Sequence, residues 1–340
     1  MYNILIHFNT YNTLQGESTV LSRFRLSDIN SATKDFAETY CIGLDPNSMV
    51  YKAELDCFEN NSMLAAEGKD SDVRSNKHIT VAIKRITGRK GIKEKAEFVA
   101  ELEMAGYKHP NVVSLIGFCD EVDEMILVYD YAPERSLDDY LKSVDNKDNF
   151  TWTHRLRMCL EIARGINHLH TMMFNQQRII HRHIKSANIL LGKNLEAKIA
   201  YFGISKVHPT DIGVNVYKDP EYETTGNMKR NSDIYSLGVV CFEIFCGRLA
   251  YDLDFMVEND KGLAPIARQC FNDGTIENIM DPKLTEETHE EISSSNGGPN
   301  KDSLKTFLKV AYQCLGEAAK RPTIKTVIKE LEIALNLSSK

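Results

Sequence analysis

The stretch "IIHRHIKSANILLG", residues 179 to 192, carries His181, Arg182, Lys185 and Asn188 with the cadence of a loop that transfers phosphate. Such a loop needs a carboxylate to orient or deprotonate the attacking hydroxyl, and His183 stands at that place. An imidazole has an unperturbed pKa of about 6.5, so it can in principle serve as a base. Protonated, however, it is a second cation beside Lys185, and neutral it brings no charge to orient a substrate. The residue types therefore pose one question: an enzyme with an unusual base, or an enzyme's scaffold with the chemistry removed.

The elements that must position this loop can be read from apolar spacing. "MVYKAEL" and "ITVAIKRI" read as strands, and the polar residues 57–78 between them read as a long hairpin loop. "KEKAEFVAELEMAGY" places Ala96, Val99, Leu102 and Ala105 at helical spacing, which predicts an inward stripe. "VVSLIGFC" and "EMILVYDY" follow as strands. Ahead of all these, Ser27 is expected to cap a helix whose inner side is Ile29, Ala32 and Phe36, and everything before Arg23 reads as a tail. From Ser136 onward the texture becomes helical: "SLDDYLKSV", "THRLRMCLEIARGINHLHTM", "NSDIYSLGVVCFEIFCG", "LKTFLKVAYQCLG" and "TIKTVIKELEIALNL" all carry the 3.6 period. Residues 285 to 302 are polar with Gly and Ser and read as a loop.

At 340 residues the chain exceeds a usual single core, so two lobes or one domain with insertions are the natural priors. Its 41 basic against 48 acidic residues, a net charge of -7, give no electrostatic footprint for nucleic acid. No stretch reaches the length of a membrane span, and the apolar start "MYNILIHFNTYNTLQG" lacks both a basic leader and a small-residue cleavage site, so cytosol is the default compartment. The eight cysteines contain no C-x-x-C pair, which argues against a zinc ribbon or a disulfide framework. A metal set from His168, His170, His181 and His183 is disfavoured, because residues two apart on a helix face away from each other.

With "VAIKRI" upstream and a "FG" downstream, the chain from about Phe24 to Leu337 resembles the protein kinase fold. Its wording, "FRLSDINSAT", "SLIGFCDE", "ILVYDY", "IARGINHLH", "DPEY", "SDIYSLGVV" and "RPTIKTVIKELE", is similar to the cytoplasmic kinase domain of plant receptor-like kinases. The resemblance implies an α+β, two-lobed protein kinase-like fold spanning 23–340 after a tail at 1–22. A small antiparallel-sheet N-lobe with one main helix (about 36–131) would precede a larger helical C-lobe (about 132–338). It also implies that Lys84 neutralises nucleotide phosphates and that Glu101 holds that lysine, with Lys185 and Asn188 completing the catalytic set. Ile42, Gly43, Val50 and Ala82 would roof an adenine pocket, Leu190 would floor it, and Tyr129 with Asp130, Tyr131 and Ala132 would form gatekeeper and hinge. His181, Phe202, Glu221, Asp233 and Arg321 would have structural roles: Glu221 paired with Arg321, and Asp233 bracing the backbone of the catalytic loop.

The pattern is broken in four places. "IGLDPNSMVYK" keeps Gly43 but puts Asp45 and Ser48 where the family has glycines, which adds a negative charge near the nucleotide's own. His183 replaces the catalytic Asp, and Tyr201 replaces the metal-binding Asp. Both fall in register, since 188 - 183 = 5 and 201 - 188 = 13. Magnesium is a hard cation that wants carboxylate oxygen, so its binding is expected to be weak or lost, with no protein metal site, while ATP stays admissible as cofactor. Val214 stands where a threonine normally meets the catalytic Asp, and the segment from Tyr201 to Asp219 is short. The hydroxyls of Ser205, Thr210 and Tyr217 could be phosphorylated by another kinase, but exposed hydroxyls in a loop are common and the ordinary reading is favoured.

The resemblance with these losses implies a pseudokinase acting as scaffold or allosteric partner of an active receptor-like kinase or signalling complex, cytoplasmic or at the plasma membrane through its partners. The alternatives are a weakly active Ser/Thr protein kinase with His183 as base, and a nucleotide sensor that binds ATP without metal.

Overall fold

The computed structural model describes residues 21–45, 47–58, 76–87, 91–104, 108–121, 124–143, 150–174, 177–200, 216–286 and 299–338. The chain divides into two units, Met1–Lys108 with Val113–Ala132, and His109–Val112 with Pro133–Lys340. Among the described residues no helix is long and apolar enough to cross a membrane.

The first unit is built on a mixed six-stranded sheet. Its strands are β1 (Ser22–Arg23), β2 (Cys41–Asp45), β3 (Ser48–Phe58), β4 (Asn76–Ile86), β5 (Leu115–Cys119) and β6 (Ile126–Asp130), in the order β1-β5-β6-β4-β3-β2. The predicted strands are present, and β3 and β4 pair in unbroken antiparallel register from Ser48↔Ile86 to Phe58↔Asn76. The pleat sends alternate residues to opposite faces. Tyr51, Ala53, Leu55, Val81 and Ile83 therefore form one buried face, packed with Ile29 of helix α1 (Leu26–Thr33).

The tail boundary needs correction. Ser22 and Arg23 pair in parallel with Gly117 and Phe118, so the sheet is not purely antiparallel. A Cβ on Gly117 would run into the Ser22 carbonyl, and that glycine is what admits the edge strand. Ser27 is not the cap of α1 either. Arg25 occupies the N-cap position without a side-chain hydrogen bond, while Ser27 lies in the first turn and donates to Asp28.

Helix α2 (Ile92–Met104) turns a different face inward from the one its aliphatic spacing predicts. Phe98, Ala100, Glu101 and Leu102 are buried, Ala96 is exposed and Val99 half-buried; Ala105 lies outside the described residues. Phe98 and Leu102, one turn apart, pack with Phe118 and Leu127 and outweigh the small alanine.

The second unit is helical. It contains α3 (Leu137–Lys142), α4 (Trp152–Thr171), α5 (Pro220–Thr225), α6 (Arg230–Cys246), α7 (Leu253–Glu258), α8 (Leu263–Asp273), α9 (Lys283–Glu286), α10 (Lys301–Cys314) and α11 (Ile324–Ser338). Short hairpins β7 (Met173–Phe174) with β8 (Gln177–Arg178), and β9 (Ile189–Leu191) with β10 (Ala197–Ile199), lie between α4 and α5. The polar stretch expected as a loop over 285–302 is helical at both ends, since α9 reaches Glu286 and α10 starts at Lys301; residues 287–298 lie outside the description.

Helix α6 is apolar nearly all round and is buried over most of its length, as a core helix must be. Helix α4 contributes Leu156, Cys159, Ile162, Ala163, Ile166 and Leu169 to the same core. It also buries Arg155 completely, satisfied by Asp281 at 2.5 Å and by the carbonyls of Phe150 and Ile244. A buried guanidinium is tolerated only with such a full set of acceptors. Cys119, Cys159, Cys241, Cys246 and Cys314 are buried free thiols, and Cys41 and Cys270 are half-buried ones.

Candidate functional site

In the first unit the expected nucleotide-side residues share one sheet face. Gly43 stands opposite Val50, Val50 opposite Lys84, and Ala82 opposite Tyr129 in successive ladders. Directly opposed residues project to the same side, so Val50, Ala82, Lys84 and Tyr129 form a patch opposite the Val81 and Ile83 core face. Ile42 is exposed, and Tyr131, just beyond β6, is half-buried with the Lys52 ammonium 4.6 Å over its ring. A Cβ on Gly43 would meet only the Val50 side chain, at 3.6 Å, an ordinary contact. Nothing in the fold of the hairpin itself demands glycine there. The side chain of Asp45 and all of Pro46 lie outside the described residues.

Helix α2 delivers Glu101 to that face. Lys84 Nζ donates to Glu101 Oε1 at 3.1 Å, and the Tyr129 hydroxyl donates to Oε2 at 2.7 Å. Glu101 is buried, so both carboxylate oxygens are engaged where an unpaired one would be costly. The sequence motifs indicated Lys84 with Glu101; the Tyr129 contact they did not. A tyrosine at the end of a strand carries no local sign that its hydroxyl will reach a helix.

In the second unit the loop from His181 to Asn188 is held from beneath by α6. Asp233 Oδ2 accepts from the His181 amide at 2.9 Å, and Oδ1 accepts from the Arg182 amide at 2.8 Å. Arg182 has a positive φ of 70°, a left-handed turn that presents successive amides to one carboxylate. His170 Nε2 lies 2.8 Å from Asp233 Oδ2 as a third partner. Burial alone would push the Asp233 carboxyl up, but the His170 hydrogen bond and charge, then His181 and the Arg182 amide, outweigh it and hold the group below the usual range. Asp233 thus bonds two successive amides of the loop, and His170 is a partner the sequence did not single out.

The loop's hydrogen bonds engage two imidazoles. The His183 amide donates to His181 Nδ1 at 3.2 Å, so His181 carries its hydrogen on Nε2, which donates to the Ala200 carbonyl at 3.0 Å. The Asn188 amide nitrogen donates to the His183 carbonyl at 2.8 Å and lies 3.2 Å from His183 Nδ1. An amide nitrogen can only donate, so in this contact His183 Nδ1 stands as the acceptor. Asn188 has its amide oxygen left as a metal donor, a single neutral ligand where a hard cation requires carboxylates.

Leu190 is held in the β9–β10 hairpin opposite Lys198 and bridges to Ser136. Lys185 opens the short 3₁₀ turn Ser186–Asn188. Ser186 is buried, its hydroxyl 2.9 Å from that of Tyr217, which donates to Glu243 Oε1 at 2.5 Å. Tyr217 is therefore an interior residue. Burial first of all drives the Glu243 carboxyl up to about 8, against the hydrogen bonds from Tyr217 and the Ala250 amide.

The expected Glu221–Arg321 pair is not made. Arg321 takes both oxygens of Asp219, each at 2.7 Å, and Glu221 bonds Lys229 at 2.7 Å. Asp219 also caps α5 through the Glu221 amide. The cap position fixes the Asp219 carboxylate close to Arg321, whereas Glu221, two residues further on, bonds Lys229. Tyr201, Phe202 and Val214 lie outside the described residues.

A family model described as "Protein tyrosine and serine/threonine kinase" matches residues 62–331. Among curated proteins, a probable receptor-like protein kinase of Arabidopsis thaliana is 34% identical over 342 residues, 96% of this chain and 38% of its own length. Receptor-like protein kinase ANXUR2 of Arabidopsis thaliana is 35% identical over 326 residues, 93% of this chain and 34% of its own. Receptor-like protein kinase ANXUR1 of the same plant is 34% identical over 326 residues, with the same two shares. The chain spans little more than a third of the length of these relatives.

Proposed function

Since the chain belongs to the protein kinase family and resembles the receptor-like Ser/Thr kinases of plants, we propose that it is a pseudokinase that works by binding. It serves as scaffold or allosteric partner of an active receptor-like kinase or signalling complex, on the cytoplasmic side and at the plasma membrane only through partners. The observation that supports this reading is the 3.2 Å contact of the Asn188 amide nitrogen with His183 Nδ1, which occupies a ring nitrogen at the place where the reaction needs a base. Tyr201 in place of the metal-binding carboxylate adds to it.

Loss of the base alone typically lowers rate by about two to four orders of magnitude. The test is phosphotransfer by four proteins: the unmodified chain, His183→Asp, Tyr201→Asp and the double variant. Turnover that appears only in the double variant supports a lost catalyst on a maintained scaffold. Turnover in the unmodified chain equal to that of the double variant would reject it and leave the weakly active Ser/Thr kinase.

The Lys84–Glu101 ion pair supports a second reading in which ATP binds without magnesium, because in kinases the lysine so held pairs with nucleotide phosphates. Ligand that binds only the folded state raises the melting temperature by mass action. A shift with ATP that persists in EDTA favours the sensor; no shift removes it.

A further inference from the structure

The second unit contains a half-open cavity of about 1050 Å³, bounded by α5, the first turns of α6, residues 259–268 and the loop 315–321. It contains no residue of the catalytic loop, so its occupancy does not depend on whether the chain transfers phosphate. Val216, Pro265 and Leu315 give it apolar walls.

Its charges are largely cancelled in place. Glu221 pairs with Lys229 at 2.7 Å, Glu223 with Lys261 at 3.0 Å, Arg321 with Asp219 at 2.7 Å, and Glu317 with Lys320 at 2.8 Å. Two cations remain without a carboxylate partner among the described residues. Arg268 donates to the Leu315 carbonyl and lies over the Tyr312 ring, and Lys218 lies over the Tyr222 ring. Against them stands one unpaired acid, Asp260, which leaves a net positive lining.

Tyr235 supplies the independent observation. It is 7% exposed and lines the cavity, and its hydroxyl, which has no protein hydrogen-bond partner among the described residues, stays within reach of solvent. A hydroxyl that only water satisfies on a cavity wall is a donor that a ligand's acceptor can take over.

We propose that this cavity binds an acidic peptide segment of a partner protein, its apolar side chain on the Val216, Pro265 and Leu315 walls and its anionic group drawn by Lys218 and Arg268, with the Tyr235 hydroxyl as donor. A segment fits better than a small molecule, because the volume is at the upper end of what such ligands fill and the cavity is open on one side.

The test uses the full chain and short fluorescent peptide pools that pair a fixed leucine with glutamate, with phosphoserine or with lysine. The glutamate or the phosphoserine pool binds, the lysine pool does not, and the tighter of the two anionic pools identifies the source of the anion. Combined Lys218→Glu and Arg268→Glu lowers that affinity by about tenfold or more. Tyr235→Phe lowers it by roughly threefold to tenfold, the range of one hydrogen bond, with the melting temperature unchanged or raised because the hydroxyl has no partner to lose. Equal binding of the lysine pool, binding indifferent to these variants, or no binding by any pool overturns the proposal.

Discussion

Asn188 Nδ2 lies 2.8 Å from the His183 carbonyl and 3.2 Å from His183 Nδ1, so one amide holds both the backbone and the ring of the residue that replaced the catalytic carboxylate. An Asp at 183 would receive the same amide hydrogens on a charged oxygen. The loop therefore keeps the arrangement that an acid would use, which is why reversion at 183 is expected to leave folding intact. Thermal unfolding of His183→Asp within about 3 °C of the unmodified chain checks this, being the shift expected for less than about 1 kcal/mol in a chain of this size.

Asp233 carries three hydrogen bonds in a fully buried position. Its folded pKa is depressed, so its contribution is fully present above the unfolded carboxylate value of about 3.9 and is lost as pH falls through the folded value. Asp219, held down by Arg321, has the same sign. Urea unfolding should show stability falling below about pH 4, and Asp233→Ala should cost about 3–5 kcal/mol at neutral pH.

Glu243 behaves oppositely. With its folded value at about 8 against an unfolded 4.3, the native state holds a proton that the unfolded chain has released, so stability declines as pH rises between these values and levels off above. Glu243→Gln should flatten this slope. An unchanged slope in the variant would assign the titration elsewhere.

Two glycines should respond differently to alanine. A helical Gly→Ala change ordinarily stabilises by up to about 1 kcal/mol. At Gly165 the new Cβ would sit 2.6 Å from the Asn111 carbonyl and 2.8 Å from Ile199, so Gly165→Ala should destabilise by about 1–3 kcal/mol. Gly43→Ala, with only Val50 at 3.6 Å, should change stability by less than about 0.5 kcal/mol. Denaturant midpoints distinguish the two.

Much of this was legible from spacing. Strands β3 and β4, helices α3, α4, α6, α10 and α11, Lys84 with Glu101 and Asp233 under the loop all follow from apolar period or ordered motifs, whereas α5, α7, α8 and α9 were not foreseen. What was not legible depended on long-range contact. The inward face of α2 was misjudged because aliphatic spacing gave Ala96 the weight that Phe98 and the ion-paired Glu101 hold in the folded unit. The Arg321 partner was misassigned by two positions, since both Asp219 and Glu221 are acids on one short helix and only the cap geometry decides between them. Edge strand β1 has no signal in two residues; its trace is Gly117 on the neighbouring strand. Arg155 was the available clue to a buried ionic site, a charge on the apolar stripe of α4, and Glu243 another on α6.

Lys84 is the last point at which fold and function must be separated. Lys84→Met leaves buried Glu101 with Tyr129 as its remaining partner in the pair and should cost about 1–3 kcal/mol, so a loss of activity in that variant alone is ambiguous. Lys84→Arg retains a cation for Glu101 and serves as the folded control.

The most direct measurement is phosphate transfer from ATP with magnesium by the unmodified chain, compared with Lys84→Arg and Lys84→Met under the same conditions. The account predicts the same background rate for all three. A rate in the unmodified chain that both substitutions abolish, with Lys84→Arg still folded, would contradict it and establish His183 within a working kinase.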